Sequence, residues 1–367
     1  MIGGKTADLN IVKATPAQYM VSQGITQNIG AYVEKFGKRA LVSGGTRAWA
    51  SVADDFHYSL AEHEITWKVN HFSGESSESN ILCVMKAANE FEADMIIGVG
   101  GGKSLDTAKM AASELRVPII TVPTIAATCA AVTPLSILYN DEGIYQRNYY
   151  HVNNPDLVLV DAGVIVKTPV KYIYAGILDA LAKWYEGGAS IVGAKNADMF
   201  DYIALQLAKT LHDQMFQKAK AAIGAMKDQK MTDALIDVIN LNIYLAGLIQ
   251  SLGIKAVGNG IAHSIHDGLT VLKESHQLLH GLKVGYGIAA QMVILQKPRN
   301  EIDEVLDFFK GIDFKPTFAA LNLSFAEPAI LAVARKTVED PLMAQEPYKH
   351  ITVDMVVEAI KRLETFA

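Results

Sequence analysis

The stretch ADMIIGVGGGKSLDTAKMAASEL, residues 93–115, decides the fold. Its first part is an apolar run typical of a buried parallel strand, three consecutive glycines follow, and the remainder favours a helix. A strand, a glycine turn and a helix start bring free backbone N–H groups and the positive end of the helix dipole to one point. The stretch therefore predicts an anion site, with a turn that merely connects strand to helix as the alternative.

Two well-known phosphate-binding motifs do not fit this turn. A nucleoside-triphosphate loop needs a glycine five positions before Gly102 of the Gly102–Lys103 pair, and that position holds Ile97. The dinucleotide fingerprint G-x-G-x-x-G fails because Lys103 stands where its third glycine should be. The residues alone thus indicate an anion without identifying it.

The chain up to residue 163 alternates candidate strands with helical stretches. The candidate strands are ALVSGG, ITWKVNHF, ADMIIGVG, VPIITVP, SILYND and DLVLVD, which begin at residues 40, 65, 93, 117, 136 and 156. Such alternation predicts a parallel sheet covered by helices on both faces. Ligands of these sheets bind beyond the carboxyl ends of the strands, where the glycine turn lies. We therefore predict an α/β dinucleotide-binding domain over residues 1–163.

The rest of the chain has an almost wholly helical periodicity. Segments such as AGILDALAKWYEGGASIVG and MTDALIDVINLNIYLAGLIQSL carry it, and the composition changes around VDAGVIVKTPVK, residues 160–171. We predict an all-α C-terminal domain over residues 164–367.

Composition argues against several classes of function. The 367 residues are 50% hydrophobic and carry a net charge of −6, without a basic cluster interleaved with aromatics, so we expect no nucleic-acid partner. Val117–Tyr139 lacks charges but contains three prolines, which favours buried strand and loop over a membrane span. The two cysteines form no C-x-x-C pair, and the N-terminus has no apolar signal region. We expect a cytoplasmic protein that takes a small-molecule substrate.

Histidines and a carboxylate in the helical part predict a metal site. His263 and His266 are three residues apart on one helix face, His280 follows after a loop, and Asp179 lies in an apolar helix. One carboxylate and two imidazoles leave a fourth position open on a catalytic zinc or iron. No local pattern links these residues, so each histidine alone also fits a core or surface position. Asp179 equally fits a helix–helix salt bridge to Lys183 or a neighbour.

Five segments follow one another along the chain: GVGGGKSLDTAK, PTIAATCAAVTPLSILYNDEG, AGILDALAKWYE, AHSIHDGLT and HGLKVGYG. In this order and at these separations they resemble the glycerol-dehydrogenase-like branch of the iron-containing (group III) alcohol dehydrogenase family, and the resemblance covers most of the chain. The second segment is most similar to the hydroxycarboxylate dehydrogenases, which reduce 2-oxo acids. The resemblance implies a dehydroquinate synthase-like/glycerol dehydrogenase-like architecture, an oligomeric assembly, and metal-dependent, NAD(P)-linked hydride transfer to or from a small secondary alcohol.

The resemblance also implies site residues. The metal ligands fall on Asp179, His263 and His280, with zinc usual in this branch and iron in others. His266 is near enough to serve the proton path or the substrate, with a structural role as the alternative. Positions that match cofactor contacts are Gly101, Gly102 and Lys103 for the pyrophosphate, Thr124, Thr128, Thr133, Leu135 and Tyr139 for adenine, ribose and nicotinamide, and Asp106 in the same loop motif.

Cys129 departs from the family pattern in a way that bears on the substrate. Glycerol dehydrogenases carry an aspartate beside the polyol at this position. Loss of that charge lowers the electrostatic cost of binding a carboxylate, so we expect a 2-hydroxy acid or 2-oxo acid. The alternative is a glycerol dehydrogenase, which forms dihydroxyacetone with NAD, with Cys129 only packed. A remoter alternative is a dehydroquinate synthase-like lyase, whose metal set has a glutamate where this chain has Asp179.

Gly45 and Arg47 bear on the cofactor. NAD-preferring relatives carry an acidic residue after the first strand, which binds the adenine-ribose hydroxyls. Gly45 occupies that position and Arg47 follows two residues later. An uncharged residue beside a guanidinium accommodates a 2′-phosphate and so favours NADP(H). The alternative is that Arg47 is an ordinary surface residue.

Overall fold

The computed structural model describes residues 13–193, 197–253 and 260–366. The strands are β1 (Tyr19–Ser22), β2 (Arg39–Gly45), β3 (Thr66–Phe72), β4 (Met95–Gly100), β5 (Ile119–Pro123), β6 (Leu135–Tyr139), β7 (Tyr145–Tyr150) and β8 (Leu157–Asp161). The helices are α1 (Ile29–Val33), α2 (Thr46–Ala50), α3 (Ala53–Glu62), α4 (Glu78–Phe91), α5 (Gly102–Leu115), α6 (Ala162–Ile165), α7 (Lys171–Gly193), α8 (Met199–Lys227), α9 (Asp233–Asn240), α10 (Ala246–Leu252), α11 (Ile261–Leu269), α12 (His280–Ile294), α13 (Arg299–Gly311), α14 (Glu327–Val338) and α15 (Val353–Thr365).

A six-stranded parallel sheet confirms the predicted α/β fold. Its strand order is β1-β8-β5-β4-β2-β3. The chain leaves β2 for β3 on one side and returns to β4 on the other side, so the order reverses between β2 and β4. The carboxyl ends of strands at such a reversal form a crevice in which α/β proteins bind ligands.

Both faces of the sheet are buried, as the alternation of strands and helices predicts. On one face, Val42, Ile97 and Leu159 pack with Ile29 and Phe56 from the flanking helices. On the other face, side chains of β2 and β4 pack with α4 and α5, including Leu41, Ile96, Ile81, Val84 and Ala108. Because β4 is buried along its whole length, its sequence is a continuous apolar run and does not alternate between apolar and polar residues.

One predicted strand of the parallel sheet, SILYND, lies elsewhere. It forms β6, which pairs antiparallel with β7 in a separate two-stranded sheet. The reason is the short turn between the two strands, in which Asn140 Oδ1 accepts a hydrogen bond from Ile144 N at 2.7 Å. Strands joined by so short a connection can only run antiparallel. The strands β1 and β7 were not anticipated from the sequence.

The described chain divides into two compact units. The α/β unit extends to Val170 and also includes Ala225–Ser251, and the helical unit comprises Lys171–Gly224 and the chain from Leu252 onward. The sequence-based boundary lay at residues 163/164, and it assigned Ala225–Ser251 to the helical domain. Helical periodicity identifies the helices of that segment but not the unit against which they pack.

Specific contacts tie the segment Ala225–Ser251 to the α/β unit. Tyr19 Oη donates a hydrogen bond to Asn240 Oδ1 at 2.8 Å, and Asn242 Nδ2 donates to the Ala126 carbonyl at 3.0 Å. The run Asp233–Leu252 has the length and the mean hydropathy, 1.5, of a bilayer span, but 56% of it is buried within the protein. Such burial is typical of a core helix.

Candidate metal centre and cofactor site

Close packing of α12 against α7 brings the predicted metal ligands together. Gly281 lies directly against the backbone of Ala175, where any Cβ would overlap the Ala175 carbonyl oxygen. Asp179 is one helical turn beyond Ala175 on α7, and His280 is the first residue of α12. The small residue at 281 therefore places the His280 ring beside the Asp179 carboxylate.

Asp179, His263 and His280 each offer one ligand atom, and these atoms all lie within 4.8 Å of one another. Asp179 Oδ1 is 3.1 Å from His280 Nε2 and 3.7 Å from His263 Nε2. Asp179 is 7% exposed, whereas the His280 side chain is 41% exposed. The geometry thus combines a buried carboxylate with a ligand set that is open on one side.

Glu186 holds the first of the two imidazoles. Its Oε2 lies 2.8 Å from His263 Nδ1, and its Oε1 accepts the His263 backbone N–H at 2.9 Å. Because a carboxylate can only accept, Nδ1 carries the proton and Nε2 is directed at Asp179. A carboxylate behind a histidine in this manner fixes the ring and the tautomer for a metal.

His266 and Asp267 orient the ring of His280, as Glu186 orients the ring of His263. His280 Nδ1 lies 3.0 Å from His266 Nε2, and His266 Nδ1 lies 2.8 Å from Asp267 Oδ1. If the Nδ1–H group of His266 donates a hydrogen bond to Asp267, then His266 Nε2 is unprotonated and accepts a hydrogen bond from the Nδ1–H group of His280. The Nε2 atom of His280 then stays available to a metal. The predicted nearness of His266 to the ligands is thus seen, and its predicted catalytic role stays a prediction.

The buried carboxylates of the cluster favour a positive charge beside them, carried by His263 in the absence of a metal. Burial opposes ionisation of Asp179, but His280 and His263 outweigh it and hold the pKa of Asp179 well below its ordinary value. Burial likewise lowers the pKa of His263, yet the Glu186 charge and the bonds to both carboxylates raise it to about 9. The pKa of His266 lies well below its ordinary value because of burial and the nearby His280, so this ring is neutral.

The glycine turn in the α/β unit has the predicted form. Gly100 has a φ of 141°, in the region that favours glycine, and α5 begins at Gly102. Thr124 N donates to the Gly100 carbonyl at 3.0 Å, which ties the end of β5 to the turn. A Cβ on Gly102 would be 3.4 Å from Thr128 Oγ1, so the segment after β5 lies against the turn.

Lys103 makes an ion pair in this unit. Its Nζ lies 2.6 Å from Glu75 Oε1, with the two side chains 55% and 21% exposed. Lys103 is thus accessible, as an anion-binding lysine must be, but it has a competing carboxylate. Glu75 was not anticipated, since nothing in the sequence links it to the turn.

The other predicted cofactor positions differ in their accessibility. Asp106 is buried beneath the turn, where Oδ2 accepts a hydrogen bond from Ile137 N at 3.1 Å. Gly45 ends β2, and the side chain of Arg47 is exposed and makes no hydrogen bond or ion pair with the residues that the structure describes. The remaining positions lie on the segment after β5 and on β6: Thr124 and Thr133 are buried, and Thr128, Cys129, Leu135 and Tyr139 are half-buried.

Of two supporting residues on α7, Glu186 was not predicted from the sequence, and Lys183 was considered only as a salt-bridge partner of Asp179. Glu186 is seven residues after Asp179, and Lys183 is four residues after it, so all three share one helix face. Lys183 is 4% exposed and its charge lowers the pKa of both carboxylates. The spacing of this face was the available signal.

Comparison with known proteins agrees with the geometry. The model of the family described as iron-containing alcohol dehydrogenase matches residues 16–162. A glycerol dehydrogenase of Citrobacter freundii is 32% identical over 88% of this chain and 88% of its own. Hydroxycarboxylate dehydrogenase A of Escherichia coli is 31% identical over 90% of this chain and 88% of its own. Several other relatives of similar identity are glycerol dehydrogenases.

The solved structures agree with these relatives. The structure of a probable glycerol dehydrogenase from Sinorhizobium meliloti 1021 superposes with a TM-score of 0.85 at 30% identity, covering 96% of this chain and 98% of the other. Similarity of this extent in both sequence and structure identifies the family, and with it the class of reaction as oxidoreduction of alcohols. The chain belongs to the glycerol-dehydrogenase-like branch of the iron-containing alcohol dehydrogenase family.

Proposed function

We propose that this protein is a metal-dependent, NAD(P)-linked oxidoreductase that interconverts a small 2-hydroxy acid and its 2-oxo acid. The observation that carries the proposal is the convergence of Asp179, His263 and His280, whose ligand atoms lie within 4.8 Å of one another. Membership of an alcohol dehydrogenase family supports the type of reaction.

The residues fit one divalent cation. Two imidazole nitrogens and a carboxylate oxygen are the donors of a catalytic zinc with an open position, and they equally match the two-histidine, one-carboxylate set of iron. The buried carboxylate of Glu186, which holds the Nδ1 proton of His263, is the partner that a metal-binding histidine requires. We favour zinc, the usual metal of this branch. When bound, the metal supplies Lewis acidity toward the substrate oxygen, and the nicotinamide accepts or donates the hydride.

The chain's own residues orient this chemistry and handle a proton. Oxidation of a secondary alcohol releases one hydride to the cofactor and one proton. Asp267 is 60% exposed at its side chain and is bonded to His266, which in turn is bonded to His280. This hydrogen-bonded row connects the ligand set to an exposed carboxylate, which supports a role for His266 in orienting His280 or in proton release.

The cofactor site that we propose consists of the glycine turn and the segment after β5. Gly101, Gly102 and Lys103 bind the pyrophosphate at the start of α5, where backbone N–H groups and the helix dipole favour an anion. We favour NADP(H) over NAD(H), because Gly45 adds no negative charge after β2 and the exposed Arg47 can pair with a 2′-phosphate.

Cys129 supports the acid substrate, and the relatives support a second candidate. A cysteine contributes no fixed negative charge against a substrate carboxylate. Glycerol dehydrogenases are numerous among the relatives, whereas hydroxycarboxylate dehydrogenase A is one of them. We therefore retain oxidation of glycerol to dihydroxyacetone as the second candidate function.

The loss of nicotinamide absorbance tests the proposal. Zinc-loaded protein is offered NADPH or NADH with 2-oxobutyrate, 2-oxoglutarate or dihydroxyacetone. We expect turnover of an oxo acid with NADPH, and we expect Cys129→Asp to lower it through charge repulsion, whereas Cys129→Ser changes it little. Preference of the unaltered protein for dihydroxyacetone with NADH would instead make it a glycerol dehydrogenase.

A further inference from the structure

A buried ion pair beneath the glycine turn has no part in the proposed chemistry. Lys109 and Asp106 lie one turn apart on α5 and are 2% and 7% exposed. Lys109 Nζ is 3.0 Å from Asp106 Oδ1. Lysine is rarely buried to this degree, because taking an ammonium out of water is costly.

Both side chains bind the backbone of one short segment. Lys109 Nζ donates hydrogen bonds to the carbonyls of Thr133 at 3.2 Å and Leu135 at 2.5 Å. Asp106 Oδ2 accepts from Ile137 N at 3.1 Å. The pair therefore fixes the start of β6 to the middle of α5 at three backbone positions.

The residues that precede this segment lie at the glycine turn. The chain leaves β5 with Thr124 N bonded to the Gly100 carbonyl at 3.0 Å, and Thr128 lies against Gly102. It then returns to α5 at Thr133, where Lys109 holds it. Both ends of the segment are thus attached to the same strand–turn–helix element, the first at the glycine turn and the second at the middle of α5.

Stability alone does not account for a charged pair at this place. The free-energy cost of removing two charged groups from water offsets most of the gain from their attraction. A protein with apolar residues of similar size in their place is therefore often as stable as one with the buried ion pair. Burial also raises the pKa of Asp106, in agreement with an energetic cost of its charge. What an apolar pair lacks is direction, because only charged and polar groups hold particular carbonyls and an N–H group at defined positions.

We propose that Lys109 and Asp106 are positioning residues, which hold the backbone of Thr133–Ile137 at the distance from the glycine turn that a nicotinamide dinucleotide needs. This inference rests on the proposed function. It gives Asp106, which the sequence predicted as a cofactor contact, the role of supporting the residues that contact the cofactor. The pair acts on the affinity for the dinucleotide rather than on the metal, whose ligands are on other helices.

The test uses the full-length protein and measures binding of NADPH and NADH by fluorescence titration. Lys109→Met together with Asp106→Leu replaces the pair by apolar residues, and Asp106→Asn is a milder change that keeps an acceptor for Ile137 N. The exposed pair Lys86–Glu90 on α4, 3.8 Å apart, is the matched control as Lys86→Met with Glu90→Leu. Thermal melting and metal content are measured for each protein.

We expect the double variant to melt near the wild type but to bind dinucleotide roughly tenfold more weakly, as misplacement of a binding segment predicts. Its KM for dinucleotide should rise more than its kcat falls, with metal content unchanged. Asp106→Asn should show a smaller change in the same direction, and the control pair none.

Wild-type affinity for the dinucleotide in both variants would overturn the inference. So would an unfolded double variant together with normal dinucleotide binding by Asp106→Asn, because the pair would then contribute only to stability. Failure of the wild-type protein to bind any nicotinamide dinucleotide would instead overturn the proposed function.

Discussion

Glu186 is bonded through both carboxylate oxygens to the single residue His263, at 2.8 Å to the ring Nδ1 and at 2.9 Å to the backbone N–H. Two attachments to one residue fix the ring relative to its own helix. His263 Nε2 therefore has one direction, toward Asp179, before any metal arrives. Preorganisation of this kind reduces the cost of assembling a metal site.

Glu186→Gln should weaken metal binding without removing a ligand. The side-chain oxygen of a glutamine can still accept the hydrogen bond from His263 Nδ1–H. Its NH₂ group would then face the backbone N–H of His263, so that two donors oppose each other. We expect about a 10- to 100-fold loss of zinc affinity, the usual effect of losing such a partner. Competition with a chelator measures it, and the exposed Glu304→Gln is the control. Unchanged affinity would show that Glu186 does not support the ligand.

Glu75→Gln should tighten dinucleotide binding. Lys103 pairs with Glu75 at 2.6 Å, and a pyrophosphate must compete for the same ammonium group. Because Lys103 is largely exposed, the pair is worth no more than about 1 kcal/mol, so the gain is at most about fivefold and shrinks in high salt. Titration of NADPH at low and high ionic strength checks both effects, with exposed Glu62→Gln as control. Weaker binding in the variant would mean that Glu75 itself helps to hold the cofactor.

Gly45→Asp should shift the cofactor preference toward NADH. Gly45 has a φ of −66°, which any residue can adopt, and a Cβ there would meet only Phe72 O, at 3.8 Å. A carboxylate at this position repels a 2′-phosphate and can bind ribose hydroxyls. We expect the NADPH to NADH ratio of kcat/KM to exceed one in the natural protein and to fall below one in the variant. Gly45→Ala separates the charge from the added methyl group, and a natural preference for NADH would contradict the role of Arg47.

His151 should make the protein less stable at mildly acidic pH. Burial, then the charges of Lys109 and Lys13, hold the pKa of His151 well below its ordinary value, and its Nε2 lies 2.8 Å from Ser136 Oγ. As the pH falls through about 6.5, His151 therefore binds a proton in the unfolded chain but not in the folded chain. The contribution of His151 to stability is complete above that pH and is lost as the pH falls below it.

Urea unfolding between pH 7 and pH 5 measures this effect. His151→Gln should reduce the pH slope of the unfolding free energy by up to about 1.4 kcal/mol per pH unit, and the exposed substitution His350→Gln is measured beside it as the control. An identical slope in His151→Gln and the natural protein would show that His151 does not titrate differently on folding.

Local sequence was sufficient for the elements but not for their partners. The buried run of β4, the triple glycine and the start of α5 carry their structure in consecutive residues, so the parallel sheet and the turn could be predicted. Glu75 and Lys103 are far apart in the chain, and only the folded unit brings them together. β6 looked like its parallel neighbours because apolar content does not distinguish a hairpin strand from a sheet strand.

The candidate metal site shows the same limit. Asp179, His263 and His280 could be named from their residue types and from the family resemblance. The order of bonds behind them, Glu186 to His263 and Asp267 through His266 to His280, depends on how α7, α11 and α12 pack. Helix spacing indicated which residues share a face with Asp179, but it could not indicate which histidine that face would meet.

Metal content and turnover, measured together in the natural protein and in His263→Ala, test the central claim most directly. The account predicts about one divalent ion per chain in the natural protein, and a parallel loss of the ion and of kcat in the variant. Full oxidoreductase turnover by protein that holds no metal would contradict it.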